Sequence, residues 1–297
     1  MSHHHHHSRE NLKVAFFLNL GFTVVEIIGG LWTNSVAILT DAVHDLGDSL
    51  SLGLAWYFDR LSEKGRTPSY TYGYRRYRLI GGLITGVILI IGLSFALWHS
   101  IARIFDPAEV NAGGMMGLAV LGILFNGAAV LRVRRGSSLT EKLVSWHLIE
   151  DVLGWVAVLI GAGIMMIWDL PVIDSLLSIG ISLFILWNVG GSLRKVGAVF
   201  LQTTPEGFEV SNFEKAVLKI EGVESIHHVH CWSIDGESHV LSAHLVISNE
   251  AEDIVSIKNA VRRILADDAF EHVTLEIERP GDCCPQREPS PERGETS

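Results

Sequence analysis

The chain has 297 residues, of which 48% are hydrophobic and only 19% are charged, and its mean hydropathy is +0.32. Soluble globular chains carry about 25% charged residues, so this composition excludes a single soluble enzyme domain, a disordered chain and a basic nucleic-acid binder. The net charge of −10 is unevenly divided, with 15 basic and 14 acidic residues up to Thr204 but 8 and 19 from Pro205 onward, which predicts an apolar, nearly neutral part joined to a small acidic one.

The chain opens on the segment MSHHHHHSRENLK, which lacks the small-residue cleavage site of a secretory signal peptide. The run His3 to His7 is either an expression remnant or a native metal-collecting tail, and the sequence leaves both interpretations open. We expect residues 1–12 to form a His-rich cytoplasmic tail ahead of the first apolar segment.

Six windows are apolar and long enough to cross a bilayer core of about 30 Å as helices, which takes roughly 20 residues each. They cover residues 14–31, 35–58, 79–101, 113–131, 143–166 and 172–193. The sequence therefore predicts an all-α, six-helix transmembrane bundle over residues 13–204.

Basic residues are concentrated in two of the loops that connect these windows. The second loop carries Arg60, Lys64, Arg66, Arg75, Arg76 and Arg78, and the fourth carries Arg132, Arg134, Arg135 and Lys142. Because cytoplasmic loops collect Lys and Arg, this distribution predicts that both chain termini lie in the cytoplasm.

Ionisable residues interrupt the second and fifth windows, where a charge costs about 2.5–3.5 kcal/mol even on lenient insertion scales. His44 and Asp48 stand four residues apart in the second window, and His147 and Asp151 do so in the fifth. On a helix this spacing places both side chains on one face, one turn apart. A single pair is equally compatible with an intramembrane hydrogen bond, but two matched pairs predict a four-ligand site of two nitrogens and two oxygens, which suits tetrahedral Zn²⁺.

The other polar residues of the windows are expected to have lesser roles. Asp41, one turn before His44, is predicted to be an auxiliary group on the ion pathway. Asp45 and Glu150 are expected to point elsewhere on their helices, either toward water or as groups that support the ligands from outside. The residues expected to be solitary hydrogen-bonding partners facing the bundle are Glu26, Asn126 and Asp174.

After Pro205 the hydrophobic pattern changes to that of a small α+β domain. Helical patterns over residues 209–220 and 251–267 combine with strand patterns over 225–234, 239–248 and 272–279. The order αββαβ predicts an open-faced sandwich over residues 205–282, with both helices on one face of the sheet. The Pro- and Glu-rich stretch 283–297 is expected to be disordered.

Histidines and one cysteine share the first strand of this domain. Regular alternation along the strand would place His228 and His230 on one face and His227 and Cys231 on the other. The three cysteines, Cys231, Cys283 and Cys284, do not form a disulfide framework, so we expect reduced thiols in a cytosolic compartment.

Together these motifs resemble the cation diffusion facilitator family. The resemblance rests on NSVAILTDAVHDLGDSLSLGLAW, the second His-x-x-x-Asp motif, the six-span plan and HHVHCWSIDGESHVLSAHLVI, and it extends over residues 11–279. It is nearest to the zinc branch, the bacterial zinc, cobalt and cadmium exporters.

The resemblance implies a secondary active transporter rather than an enzyme. It implies export of a divalent cation, Zn²⁺ foremost, from the cytoplasm by proton antiport through His44, Asp48, His147 and Asp151. It also implies a homodimer in a bacterial cytoplasmic membrane, with a ferredoxin-like, metallochaperone-like cytoplasmic domain. Co²⁺ and Cd²⁺ stay open as cargo because nitrogen/oxygen sites bind several such ions.

Similarity to the family's cytoplasmic sites implies a regulatory metal site in the acidic domain. Its ligands would be His227, His230, His244 and Glu278, with Cys283 or Cys284 closing the shell. The alternative is a polar strand with exposed histidines. We expect neither an organic cofactor nor a nucleic-acid partner. The loop segment SYTYGYRRYR contains no histidine, so we predict no metal site there.

Two other functions share part of this pattern: a metal-sensing membrane protein, and a cation channel without proton coupling. A sensor needs the cytoplasmic histidines but not two matched pairs in the membrane, and multi-site conduction through a channel tolerates the loss of one ligand. A zinc protease would need His-Glu-x-x-His or an equivalent, and the sequence has no such motif. The membrane pairs therefore favour a carrier.

Overall fold

The computed structural model describes residues 4–62, 64–133, 139–249, 253–266 and 268–282, with side chains described except at 4–15, 55–56, 59, 62, 132–133 and 139–148. The first six elements are long helices: α1 (His4–Thr33), α2 (Val36–Ser62), α3 (Tyr77–Phe105), α4 (Ala112–Val133), α5 (Leu139–Trp168) and α6 (Val172–Phe200). The chain divides into two compact units, one formed by helices α1–α5 with most of α6, the other by residues 64–76 and the chain from Lys195 onward.

Five of the described helices are long and apolar enough to cross a membrane: α1 over Phe16–Thr33, α3, α4 over Ala112–Leu131, α5 over Ile149–Trp168, and α6. The predicted spans are thus found in five of six cases. Helix α2 has a comparable length, but Asp41, Asp45 and Asp48 lower its apolar content. Its membrane crossing therefore stays a prediction that length and composition alone do not support.

The helical unit is held together by apolar side chains and close helix contacts. One cluster joins α1, α2, α4 and α5 around the fully buried ring of Trp155, and a second joins α3 to α6 through Leu89 and Ile185. A Cβ atom at Gly122 of α4 would overlap the Trp155 ring, so only glycine permits this approach. Large apolar side chains such as Trp98 and Trp187 are exposed on the helices, as expected for lipid-facing surfaces.

The second unit contains α7 (Val210–Val217), β1 (Val223–Ser233), β2 (His239–Ile247), α8 (Ile254–Ile264) and β3 (Phe270–Glu278), which confirms the predicted αββαβ order. Strand β2 lies in the centre of the sheet, antiparallel to β1 and parallel to β3. The core is formed by apolar side chains of α7, α8 and the inner sheet face, including Phe213, Leu241 and Val261.

A β-bulge interrupts β1 and overturns the predicted alternation of its side chains. His227 pairs with His244, and His230 pairs with Ser242. Between these two pairs β1 therefore contains one residue more than β2. The extra residue, His228, has φ +52°, in the left-handed region. His227 and His230 therefore share the sheet face of His244, whereas Cys231 packs in the core of the helix-covered face.

The loop between α2 and α3 packs against the sheet of the second unit. Arg75 Nη1 donates to Glu271 Oε2 at 2.6 Å and to Ser238 Oγ at 2.8 Å. Arg66 Nη2 lies 2.9 Å from His272 Nε2, which must accept because guanidinium only donates. The hydrogen bond from Arg75 holds the pKa of the Glu271 carboxyl below its usual range. Charge-assisted contacts thus attach this loop to the C-terminal unit.

Candidate metal sites

The first candidate site begins on α2, where two predicted ligands lie one helical turn apart. His44 Nε2 is 3.7 Å from Asp48 Oδ2, as the i,i+4 spacing predicts. Both side chains are only partly exposed, at 19% and 24%. The helix thereby directs an imidazole and a carboxylate to one place within the helical bundle.

Helix α5 brings a third predicted ligand to the same place. Asp151 Oδ1 lies 3.9 Å from His44 Nε2, and its side chain is 12% exposed. His147 stands four residues earlier on α5, with its side chain outside the described part of the chain. Three of the four predicted ligands are therefore seen to converge, and the fourth stays a prediction.

Asp45 also belongs to this cluster, although we expected it to point elsewhere. It is buried, and its carboxylate lies within 4.8 Å of the ligand atoms of His44 and Asp48. The water-facing alternative is wrong, because Asp45 and Asp48 are i,i+3 neighbours, which also share a helix surface. Support of the ligands from outside stays a prediction for Asp45. Glu150 is exposed, as expected.

Helix α1 supplies further polar groups next to the cluster. Glu26 is almost completely buried and interacts electrostatically with Asp41, Asp45 and Asp151. Asn19 Nδ2 donates to the backbone oxygen of Asp45 at 2.9 Å. Glu26 faces the bundle, as expected, but no periodic signal within α1 shows which acids of other helices it meets. Asp41 is buried one turn before His44, and its role as an auxiliary pathway group stays a prediction.

These residues have the chemistry of a divalent-cation site. Imidazole nitrogen together with carboxylate oxygen suits Zn²⁺ and its neighbours in the transition series. Metal binding requires a neutral imidazole and ionised carboxylates, so the same atoms bind either metal or protons.

The second candidate site lies on the sheet of the C-terminal unit. His244 Nδ1 is 2.7 Å from Glu278 Oε1, and His227 Nε2 is 3.3 Å from Glu278 Oε2. His244 and Glu278 are buried. Cross-strand pairing accounts for the cluster, because β1 places His227 opposite His244 and β3 places Glu278 opposite Val246, two residues along β2.

The donor atoms of this second group fit a metal ion. His227 Nε2 is buried, makes no hydrogen bond to any described residue and lies 3.3 Å from Glu278 Oε2, so this nitrogen is directed at the cluster. His244 Nε2 is also 3.3 Å from Glu276 Oε2, which gives the group a second carboxylate at its edge. Two imidazoles and a carboxylate are a common ligand set for zinc.

The remaining predicted ligands of this site are placed differently. His230 is exposed, and its ring contacts that of the bulged His228 at 4.4 Å rather than joining the His227 cluster. Cys283 lies outside the described residues. Cys231, which is not among the predicted ligands, is buried on the opposite sheet face, and burial raises the pKa of its thiol, which disfavours the thiolate that metals bind.

Comparison with known proteins shows that the chain matches two models of one protein family. The model of the cation efflux transmembrane domain matches residues 12–201, and the model of the cation efflux protein cytoplasmic domain matches residues 205–280. A cadmium, cobalt and zinc/H(+)-K(+) antiporter of Bacillus subtilis is 30% identical over 285 residues, covering 93% of this chain and 91% of that protein. The zinc transporter ZitB of Escherichia coli is 28% identical over 292 residues, covering 94% and 93%.

Among solved structures, the metal-bound C-terminal domain of the CzcD transporter from Cupriavidus metallidurans is 26% identical to the matched part of the chain. The match covers 24% of this chain and 99% of that domain, with a TM-score of 0.23.

Proposed function

The chain belongs to the cation efflux family, and we propose that it exports divalent cations, Zn²⁺ foremost, from the cytoplasm in exchange for protons. The proposed transport site consists of His44, Asp48, His147 and Asp151. The observation that carries the proposal is the approach of His44 Nε2 on α2 to Asp151 Oδ1 on α5, at 3.9 Å.

Zinc is the favoured cargo because the proposed site offers two imidazoles and two carboxylates. That set supports tetrahedral coordination, which Zn²⁺ adopts readily. Co²⁺ and Cd²⁺ accept similar ligands, and two relatives of the chain are named as cadmium, cobalt and zinc antiporters.

Proton exchange follows from what the site holds when no metal is bound. Carboxylates without a counter-charge are unfavourable at membrane depth, so protons on the imidazole and carboxylate groups take the place of the cation. Protonation on the outer side then releases the metal, and metal binding on the cytoplasmic side releases the protons. The extra acids Asp45 and Glu26 increase the need for a positive occupant in either state.

In this proposal α2 is the sixth membrane-spanning helix. Its acids are no obstacle, because Asp41 and Asp45 are buried within the bundle and do not face lipid. Six crossings, together with the basic loops, would support a cytoplasmic position of both termini in a bacterial cell. Residues 13–204 then form the transport domain and 205–282 the cytoplasmic domain.

The cytoplasmic domain is proposed to bind a regulatory metal and to hold two chains together as a homodimer. His227, His244 and Glu278 form the centre of the proposed regulatory site, and the approach of the buried His227 Nε2 to Glu278 Oε2 at 3.3 Å supports this choice. His230 and Cys283 were also expected there. His230 is exposed on the sheet face of His244, with its ring against that of His228, and Cys283 lies outside the described residues.

A matched pair of variants on α5 tests the transport site. Asp151→Asn removes a proposed ligand, whereas Glu150→Gln makes the same chemical change at the adjacent, exposed position. In proteoliposomes with a pH gradient and an internal zinc indicator, Asp151→Asn should abolish zinc uptake and Glu150→Gln should retain it. Uptake by Asp151→Asn at the wild-type rate would contradict the site and favour a channel. If the wild type took up no zinc, the alternative of a metal-sensing membrane protein would be favoured.

A further inference from the structure

A buried carboxylate of α6 binds the first turn of α2. Asp174 is 1% exposed and accepts a hydrogen bond from Ser35 Oγ at 2.5 Å. It also accepts from the backbone N–H groups of Val36, at 2.6 Å, and Ala37, at 3.2 Å. All five atoms involved are buried, so none of these bonds competes with water.

This arrangement is a helix cap supplied by a different helix. The first N–H groups of a helix have no acceptor within it, and the helix N-terminus carries a partial positive charge. Ser35 Oγ is itself 3.2 Å from the N–H of Ile38, so the local cap and the Asp174 carboxylate together satisfy the first turn of α2. Asp174 thereby fixes where α2 begins relative to α6.

A second contact between the same helices lies one turn further along each of them. Ser178 Oγ of α6 is 2.6 Å from Thr40 Oγ1 of α2 and 2.6 Å from Ser100 Oγ of α3. These three hydroxyl groups are completely buried. One attachment point would leave α2 free to turn about it, whereas two points a turn apart fix both the height and the rotation of α2.

The helix that is fixed in this way carries the proposed ligands. Thr40 lies one turn before His44 on α2, and Asp48 follows one turn later. A rotation or shift of α2 would therefore move both ligands relative to Asp151 on α5, where His44 Nε2 and Asp151 Oδ1 are 3.9 Å apart.

We propose that Asp174 is a positioning residue for transport, which holds α2 at the register where His44 and Asp48 meet Asp151. Ser178 is the second point of this attachment. The inference rests on the proposed function, because it concerns the metal affinity of the same site. It assigns Asp174 no contact with the metal.

The test uses variants of the two attachment points and a control on the same helix. Asp174→Ala removes the cap and Ser178→Ala removes the second contact. Ser182→Ala removes a hydroxyl that is also buried on α6 but makes no hydrogen bond to any described residue. The readouts are the zinc concentration that gives half-maximal uptake into proteoliposomes, the maximal rate, and the melting temperature of the purified protein.

Asp174→Ala should raise the half-saturating zinc concentration about tenfold, since removal of groups that orient metal ligands costs 10–100-fold in affinity. Asp174→Asn, which keeps one acceptor oxygen, should recover part of the loss. Ser178→Ala should raise the value by a smaller factor, and Ser182→Ala should match the wild type.

A cap that only stabilises the fold would lower the melting temperature and leave the half-saturating concentration unchanged. That result in Asp174→Asn and Ser178→Ala would overturn the inference, even if Asp174→Ala did not fold. It would leave the proposed function standing, because the wild type would still take up zinc. Absence of uptake by the wild type would overturn both.

Discussion

His44 Nε2 on α2 lies 3.9 Å from Asp151 Oδ1 on α5, so an imidazole and a carboxylate from two helices meet inside an apolar bundle. The Asp48 carboxylate approaches the same imidazole nitrogen at 3.7 Å from within α2. Ionisable groups are costly at membrane depth, and where they occur they commonly mark the pathway of an ion. The convergence is therefore the structural basis for the proposed cargo site.

The identity of the first ligand should determine which metal the site prefers. His44→Asp replaces a nitrogen donor with an oxygen donor, and carboxylate-rich sites favour Mn²⁺ over Zn²⁺. We expect lower zinc uptake and stronger inhibition of that uptake by Mn²⁺, measured as competition in proteoliposomes.

His99→Asp is the matched control, because it makes the same exchange at an exposed position on α3, outside the cluster. Its metal preference should equal that of the wild type. If His44→Asp also kept the wild-type preference, His44 would not be a ligand.

The bulge in β1 predicts that two histidines on the same sheet face have different effects on cytoplasmic metal binding. His227→Ala removes a donor of the buried cluster and should lower the zinc content of the purified protein by about one ion per chain. His230→Ala, at an exposed position, should leave the zinc content unchanged. Elemental analysis after dialysis against a zinc buffer measures both. If His230→Ala lost as much zinc as His227→Ala, His230 would also be a ligand, and the prediction would be contradicted.

The contact between Arg75 and Glu271 predicts a pH-dependent attachment of the α2–α3 loop. Because Arg75 holds the pKa of the Glu271 carboxyl below its usual range, the contact stabilises the folded unit at pH values above the unfolded-state pKa. The stabilisation is lost as pH falls through the lowered folded-state pKa. Hydrogen exchange over residues 64–76 should therefore be slower in the wild type than in Glu271→Gln near neutral pH, and this difference should disappear in acid.

A charge exchange provides the control for that loop. Arg75→Glu alone should speed exchange over residues 64–76, and the double variant Arg75→Glu/Glu271→Arg should restore part of the protection. Equal exchange in the wild type and all variants at neutral pH would show that this ion pair does not attach the loop.

Much of the fold was predictable because it depends on local patterns. The αββαβ order follows from helix and strand periodicities in 205–282, and the approach of His44 to Asp48 follows from the geometry of one helix. The meeting of α2 with α5 required a further assumption, that two polar faces in an apolar bundle meet each other.

The remaining features depend on contacts between distant parts of the chain, which the periodicity of one helix or strand does not indicate. The bulge at His228 inserts one residue into β1 and reverses the faces predicted for the residues before it, although no turn-type residue marks the position. Glu26 and Asp174 each stand alone in their own helix, so their partners on α2 became visible only through tertiary packing. Glu26 proved to be part of the acidic cluster, and Asp174 a cap.

Simultaneous measurement of zinc entry and proton exit tests the proposed exchange most directly. Proteoliposomes would hold a zinc indicator and a pH indicator in the lumen, with zinc added outside and the membrane potential clamped. We predict that wild-type zinc entry is accompanied by proton loss from the lumen at a fixed ratio, and that Asp48→Asn abolishes both signals. Zinc entry at the wild-type rate with no change in internal pH would contradict proton exchange at this site.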